Sequence, residues 1–110
     1  RPDTTAGWRT AVTKETTGNL VYGLFSSADT APPAGIVTIG SSPLQEIVRG
    51  SSALAVGAWT HLALTYDGAA LRLYANGVEI GSRPVTGALA NTSGPLQIGG
   101  NRVWAEWFEA

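Results

Sequence analysis

The sequence predicts an all-β protein in which two antiparallel sheets pack face to face. In several short runs, apolar residues recur at every second position, as they do in half-buried strands. Gly, Pro, Ser and Asn separate these runs, and these residues are typical of turns. No segment of ordinary helical length lies between them, so we expect no helix longer than about two turns.

The predicted strands follow one another through most of the chain. They comprise residues 11–15, 19–27, 35–40, 44–50, 59–67, the hairpin at 71–83, and 95–100. Residues 28–35 and 86–95 are rich in turn-forming residues, and we interpret them as loops within a single domain spanning residues 1–110. A chain of this length can bury about two-thirds of its unfolded surface, so it needs no disulfide or metal to hold a core.

The clearest turn signal is Asn76-Gly77. This pair can place two successive residues at positive φ, as a type I′ hairpin turn requires. Leu71 and Leu73 alternate with polar residues before it, so one face of the predicted hairpin is apolar.

Residues 59–67 alternate with period two as well, with Leu62, Leu64 and Tyr66 on one face. The opposite face carries Trp59 and Ala63 and is also largely apolar. We therefore expect a central strand lying between two layers.

The end of the chain predicts the one short helical segment, at residues 103–110. Trp104, Trp107 and Phe108 stand at positions i, i+3 and i+4 there. Glu106 and Glu109 have odd spacing, which does not favour an acid/base pair on a strand face, so we interpret them as solvated surface charges.

Composition excludes several classes of protein. Seven basic and eight acidic residues are scattered singly, which gives no electrostatic footprint for nucleic acid or an anionic membrane. No run approaches the ~20 apolar residues of a membrane span. Cysteine is absent, so disulfides, thiolate metal sites and a cysteine nucleophile are excluded.

Two further polar residues have structural interpretations. His61 is the only histidine, and we expect it to be packed or hydrogen-bonded within the sandwich rather than to bind a ligand. Asp67 precedes Gly68 in a predicted turn, where its carboxylate can accept hydrogen bonds from the local backbone.

A series of motifs runs from Ala58 to Asn101. "AWTHLALTYDGAALRLYANGVEIGS" combines a Trp-x-His strand, Tyr-Asp-Gly and a strand ending in Asn-Gly, and "GPLQIGGN" follows it. This order resembles the laminin G-like, concanavalin A-like jelly-roll domains of secreted bacterial proteins. The resemblance implies a jelly-roll sandwich and a secreted or cell-surface location in a bacterium. The non-catalytic role that we expect rests instead on the spacing of Glu106 and Glu109.

The resemblance also sets two expectations, one about metal binding and one about further strands. Members of this family often bind calcium, but no ligand motif matches here, so no metal ligands are assigned. Members usually carry one more strand at each end of the region seen here. We therefore expect a neighbouring domain, the remainder of a longer chain, or a strand-swapped oligomer to complete the sheet, with residues 103–110 buried in that contact.

Aromatic residues give the positive functional signal. Trp8, Trp104 and Trp107 fall in predicted loops or strand ends, where flat rings suit stacking on sugars, and Asn101 and Arg102 could bond hydroxyl groups. The alternative is that these rings cover the open ends of the core.

The predicted function is therefore a lectin-like, carbohydrate-binding or adhesive module. The alternative is a structural spacer or protein-interaction domain, and a glycoside hydrolase is a distant third.

Overall fold

The computed structural model describes residues 1–40 and 44–109, and these parts of the chain form strands, turns and loops without any helix. The strands are β1 (Arg9–Thr16), β2 (Asn19–Ser27), β3 (Ala34–Thr38), β4 (Gln45–Arg49), β5 (Leu62–Tyr66), β6 (Ala70–Ala75), β7 (Val78–Pro84), β8 (Leu96–Ile98), β9 (Gly100–Asn101) and β10 (Glu106–Trp107). The predicted all-β class is confirmed.

Two antiparallel sheets form the sandwich. The larger has the order β4-β3-β2-β1-β8 and the smaller the order β5-β6-β7, while β9 and β10 make a separate two-stranded hairpin. In the smaller sheet, β7 and β6 pack over β4 and β3, and β5 packs over β2. We call the side of the five-stranded sheet that meets the smaller sheet its inner face, and the opposite side its outer face.

The inner face holds the main apolar core. Its buried members are Val37, Val48, Leu71, Leu73 and Val85, with Tyr22, Leu24, Leu64 and Tyr66 packed against them in part. Because three strands lie opposite five, the inner faces of β1 and β8 have no strand above them among the described residues.

The outer face has a second, smaller core. Leu20, Phe25 and Ile36 are buried there, and Trp8 and Val103 pack against them. The segment from β9 to β10 lies over this face, so the second core is covered by a hairpin rather than by a full sheet.

The predicted Asn76-Gly77 turn is confirmed. Both residues have positive φ, at 51° and 78°, and they join β6 to β7. The Asn76 side chain also accepts a hydrogen bond from the backbone N–H of His61 at 3.0 Å, which ties the hairpin tip to the start of β5.

The helical segment predicted at the end of the chain is wrong. Residues 102–105 form a turn between β9 and β10, in which Glu106 pairs with Asn101 and Trp107 with Gly100; Ala110 lies outside the described residues. Asn101 Oδ1 accepts the Trp104 N–H at 2.8 Å, and this bond closes the turn. A spacing of three and four residues fits a tight turn as well as it fits one turn of helix.

The central position predicted for the strand at 59–67 is also wrong. Strand β5 is shorter, and it pairs with β6 alone within the described parts of the chain. Trp59 lies before it and is 84% exposed. The side chain of His61 is exposed as well, so the prediction that this histidine packs into the sandwich is not met.

Candidate functional site

The β9–β10 hairpin is fastened to the outer face by polar contacts with β1. Asn101 Nδ2 donates to Thr10 Oγ1 at 2.9 Å, and the Arg102 N–H donates to Glu15 Oε1 at 2.7 Å. Thr10 pairs with Phe25 and Glu15 pairs with Leu20, and both partners belong to the second core on the outer face. The two side chains therefore point to this face despite their odd spacing, because a register shift lies between Thr10 and Val12. The hairpin is therefore held at two points along the strand.

Asn101 organises the turn from a fully buried position. Its side chain is 0% exposed. Besides the bond to Thr10, Nδ2 donates to Glu106 Oε2 at 2.8 Å, while Oδ1 accepts the Trp104 N–H. Both ends of the amide are used inside the protein, so Asn101 positions its neighbours rather than presenting a polar group to solvent.

A pocket of about 260 Å³ lies on the outer face beside the hairpin. Its lining comprises Trp8, Phe25, Ile36, Gln45, Ile47, Trp104 and Glu106. We call it the Trp8–Trp104 pocket. Its lining is mostly aromatic and aliphatic with two polar side chains, a composition typical of small-ligand sites.

Trp8 is fixed in orientation by its neighbours. Its ring meets Phe25 edge to face, with centroids 5.0 Å apart and an interplanar angle of 84°. The guanidinium carbon of Arg49 lies 5.8 Å from the centroid of the Trp8 ring, and Arg49 pairs with Asp29 at 3.4 Å. The ring is therefore held by both an aromatic and a cation–π contact.

Trp104 stands in the turn of the hairpin and is 44% exposed. Its backbone is held by Asn101, and the next residue, Ala105, adopts a positive φ of 54° that completes the turn. A half-exposed indole over an apolar floor leaves ring surface available to a ligand.

Two polar side chains complete the pocket. Glu106 is half-buried, and the Asn101 amide holds one of its carboxylate oxygens. Gln45, from β4, donates from Nε2 to Asn19 Oδ1 at 2.5 Å. The interpretation of Glu106 as a solvated surface charge is therefore wrong, because β10 turns this side chain into the pocket.

The structure brings together two of the five residues predicted to contact a ligand. Trp8 and Trp104 line the same pocket, although they are far apart in the sequence. Arg102 is exposed in the turn, and Trp107 packs across the hairpin on Gly100. Neither of these side chains lines the pocket.

Sequence reasoning did not find Gln45 or Glu106 as site residues. Gln45 reaches the pocket only because β4 lies beside β3 in the sheet. Glu106 reaches it only because the chain turns back at residues 102–105. No local sequence signal marks either residue.

The described residues contain no group of three or more His, Asp or Glu side chains that could hold a metal ion. Within the same residues, no helix has the length and apolar character needed to cross a membrane.

Comparison with known families agrees with this sandwich. A laminin G-like family model, described as the concanavalin A-like lectin/glucanases superfamily, matches residues 1–110. The chain belongs to this superfamily. Laminin G-like members are binding modules in general and are generally non-catalytic. A search of curated proteins gave no match to this concanavalin A-like chain.

Proposed function

We propose that this concanavalin A-like domain is a carbohydrate-binding or adhesive module and that the Trp8–Trp104 pocket is its sugar site. The observation that carries the proposal is the pairing of two indole rings with the polar groups of Gln45 and Glu106 around one pocket. Indole faces stack on the C–H faces of sugar rings, and amide and carboxylate groups bond their hydroxyls. We also propose that the protein is bacterial and acts outside the cell.

The charge of the pocket supports binding rather than hydrolysis. Glycoside hydrolases usually place two carboxyl groups about 5 to 10 Å apart on either side of the scissile bond. Within the described residues, Glu106 is the one carboxylate that lines the pocket. A single carboxylate can orient a sugar hydroxyl but does not supply the usual acid and base together.

Replacing Trp104 with alanine tests the sugar site. We expect Trp104→Ala to weaken the binding of any glycan found on a broad array by about tenfold or more, because one stacking surface is lost. Trp59→Ala is the matched control, since Trp59 is 84% exposed and does not line the pocket. A flat titration against the whole panel, or an equal loss in both variants, would contradict the proposal.

A second candidate function rests on the inner face. Two adjoining cavities, of about 460 and 270 Å³, lie over the inner faces of β1 and β2. Strand β5 borders the larger one, and the smaller one is also lined by loop and terminal residues, namely Arg1, Pro2, Leu54, Thr60 and Phe108. Val12, Leu24 and Leu62 line both of them, and Leu96 and Ile98 of β8 lie on the same side of the sheet as Val12. We call the two cavities, together with the neighbouring side chains of Leu96 and Ile98, the open trough. It is a largely apolar surface, and it is bordered by the edge of β5 that pairs with no strand among the described residues.

The shape of the open trough indicates the kind of partner that fits. An edge strand beside an apolar floor suits an extended peptide with apolar side chains at alternate positions, which would pair with β5 and cover β1. Two copies of this chain cannot pair edge to edge through β5 around a twofold axis normal to the smaller sheet. In that arrangement, β1 and β8 of one copy would occupy the same space as the larger sheet of the other copy. The proposed occupant is therefore a single added strand, and the domain would act as a protein-interaction module.

A further inference from the structure

The Trp8–Trp104 pocket carries a negative charge that the described residues do not neutralise. Glu106 is its one charged lining residue among them, and it takes part in none of their ion pairs. Asn101, itself fully buried, donates to Glu106 Oε2 and holds the carboxylate in place. The charge is thus fixed in position before any ligand arrives.

The guanidinium group that contacts the Trp8 ring is already paired with a carboxylate. Arg49 contacts the Trp8 ring but does not line the pocket, and its partner Asp29 lies 3.4 Å away. Arg49 therefore orients the indole and leaves the carboxylate of Glu106 as the main charge that a ligand would meet.

Aromatic faces and a carboxylate favour the same kind of ligand group. The face of an indole attracts a cation through its quadrupole, and a partly desolvated carboxylate attracts one more strongly than it would in water. Two indoles and Glu106 line one small volume here. An ammonium group on the ligand would gain from Glu106 and from the ring of Trp104, while Arg49 already lies over the ring of Trp8.

We infer that the pocket prefers sugars bearing a protonated amine over neutral and acidic sugars. The inference rests on the proposed carbohydrate-binding function and names its ligand class. A uronic acid would place its carboxylate near Glu106, where like charges repel. An N-acetylated sugar has the same ring but no positive charge, so it loses the electrostatic gain.

Three tetrasaccharides of β-1,4-linked glucose units separate these ligand classes because they differ only at the second carbon. They are the chitosan tetramer with free amines, the chitin tetramer with acetamides, and cellotetraose with hydroxyls. The oxygens next to the amine of a 2-amino sugar lower its pKa below that of a simple aliphatic amine, so the calorimetric titration is made at about pH 5, where the amine is mostly protonated and a carboxylate of ordinary pKa is mostly ionised. It should show the chitosan tetramer binding about tenfold more tightly than cellotetraose. Added salt should reduce this preference.

Glu106→Gln keeps an oxygen that can accept the Asn101 hydrogen bond but removes the charge. We expect this variant to bind the three tetramers with nearly equal affinity, because the charge that favours the amine is gone. Glu79→Gln is the charge-matched control, since Glu79 lies on β7 in the other sheet, and it should keep the preference. Thermal unfolding of both variants checks that they fold.

The outcomes separate the two proposals. If the tetramers bind equally to the wild-type domain, or if Glu106→Gln keeps the preference, the amine inference is overturned and sugar binding stands. If neither these tetramers nor a broad glycan panel bind, the carbohydrate proposal fails and takes the inference with it. A preference that disappears in Glu106→Gln alone supports both.

Discussion

At the residue scale, the geometry of the pocket depends on the buried amide of Asn101. Asn101→Ala would leave Thr10 and the Trp104 N–H without their partner and would release Glu106. Since a buried polar group left unpaired costs about 1 to 3 kcal/mol, we expect a loss of stability of at least that size in chemical denaturation. We also expect weaker sugar binding, because Trp104 would no longer be held.

The control for this variant is Asn91→Ala, at an exposed loop position. It should change the free energy of unfolding by less than about 0.5 kcal/mol. A similarly small change in Asn101→Ala would show that the buried amide does not hold the hairpin.

Asp67 illustrates how a turn residue sets a pH dependence. Backbone N–H groups of Ala69 and Ala70 donate to its carboxylate, as does Arg72, and together they lower the pKa of Asp67 from 3.8 to about 2. Because the folded pKa is depressed, the stabilisation is present above about pH 4 and is lost as pH falls toward 2. The turn interpretation made from the sequence is confirmed by the same bonds.

Asp67→Asn keeps an acceptor for these bonds but removes the charge. We expect its Tm to lie below that of the wild type at neutral pH and to converge with it as pH falls from about 4 to about 2. Asp3→Asn, an exposed position with the same charge change, is the control for thermal denaturation across this range. A constant difference in Tm between Asp67→Asn and wild type at every pH would contradict the assignment.

At the element scale, the two sheets approach most closely where β7 crosses β4. A Cβ atom at Gly81 would lie 2.5 Å from the carbonyl oxygen of Arg49 and 3.0 Å from Val48 Cγ2. The carbonyl belongs to the β4 backbone and cannot turn aside as a flexible side chain can. Gly81→Ala should therefore push the sheets apart and cost about 1 to 3 kcal/mol of stability.

Ser82→Ala provides the comparison, because Ser82 is the next residue on β7 and is exposed. Urea denaturation of the two variants should show a loss for Gly81→Ala and little change for Ser82→Ala. Equal midpoints would mean that the sheets can separate freely at this crossing.

The elements differ in how well the sequence predicts them. Strand β2 coincides with its predicted bounds, and the β6–β7 hairpin follows from Asn76-Gly77, because period-two alternation and turn chemistry are local properties. The β9–β10 hairpin could not be predicted in this way. Its strands have two residues each, and bonds to Thr10 and Glu15, distant in sequence, hold it in place.

Local sequence predicts the candidate site only in part, as it does the strands. Tryptophans in predicted loops or strand ends suggested a sugar site, and Trp8 and Trp104 do line one pocket. Which tryptophan takes part depends on the pairing of distant strands, so Trp107 could not be separated from Trp104 by sequence alone. The edge position of β5 depends likewise on which strands pair, and a single strand's alternation does not carry that information.

At the scale of the whole molecule, the two sheets are unequal in size. Among the described residues, five strands face three, and the part of the larger sheet that no strand covers carries Leu96 and Ile98, which are 56% and 81% exposed. Contiguous apolar surface beside an unpaired strand edge favours association. The expectation that another strand completes the sheet stays a prediction, and the open trough is where that strand would bind.

Placing a charge on the floor of the open trough tests this expectation. Residues 1–110 alone should bind a hydrophobic dye and self-associate at micromolar concentration, because exposed apolar side chains of the trough in one copy can pack against those of another. Ile98→Lys should suppress both effects without lowering the unfolding midpoint, since Ile98 is 81% exposed and contributes little to the folded core. Val78→Lys, at a β7 position that is 65% exposed and outside the trough, should change neither effect. Light scattering and dye fluorescence measure the two effects.

A wild-type chain that stays monomeric, unfolds cooperatively and is indifferent to Ile98→Lys would show that this face needs no further strand. Loss of association in Ile98→Lys alone would instead show that the uncovered inner face, rather than exposed apolar residues in general, is the surface through which the molecule meets another polypeptide.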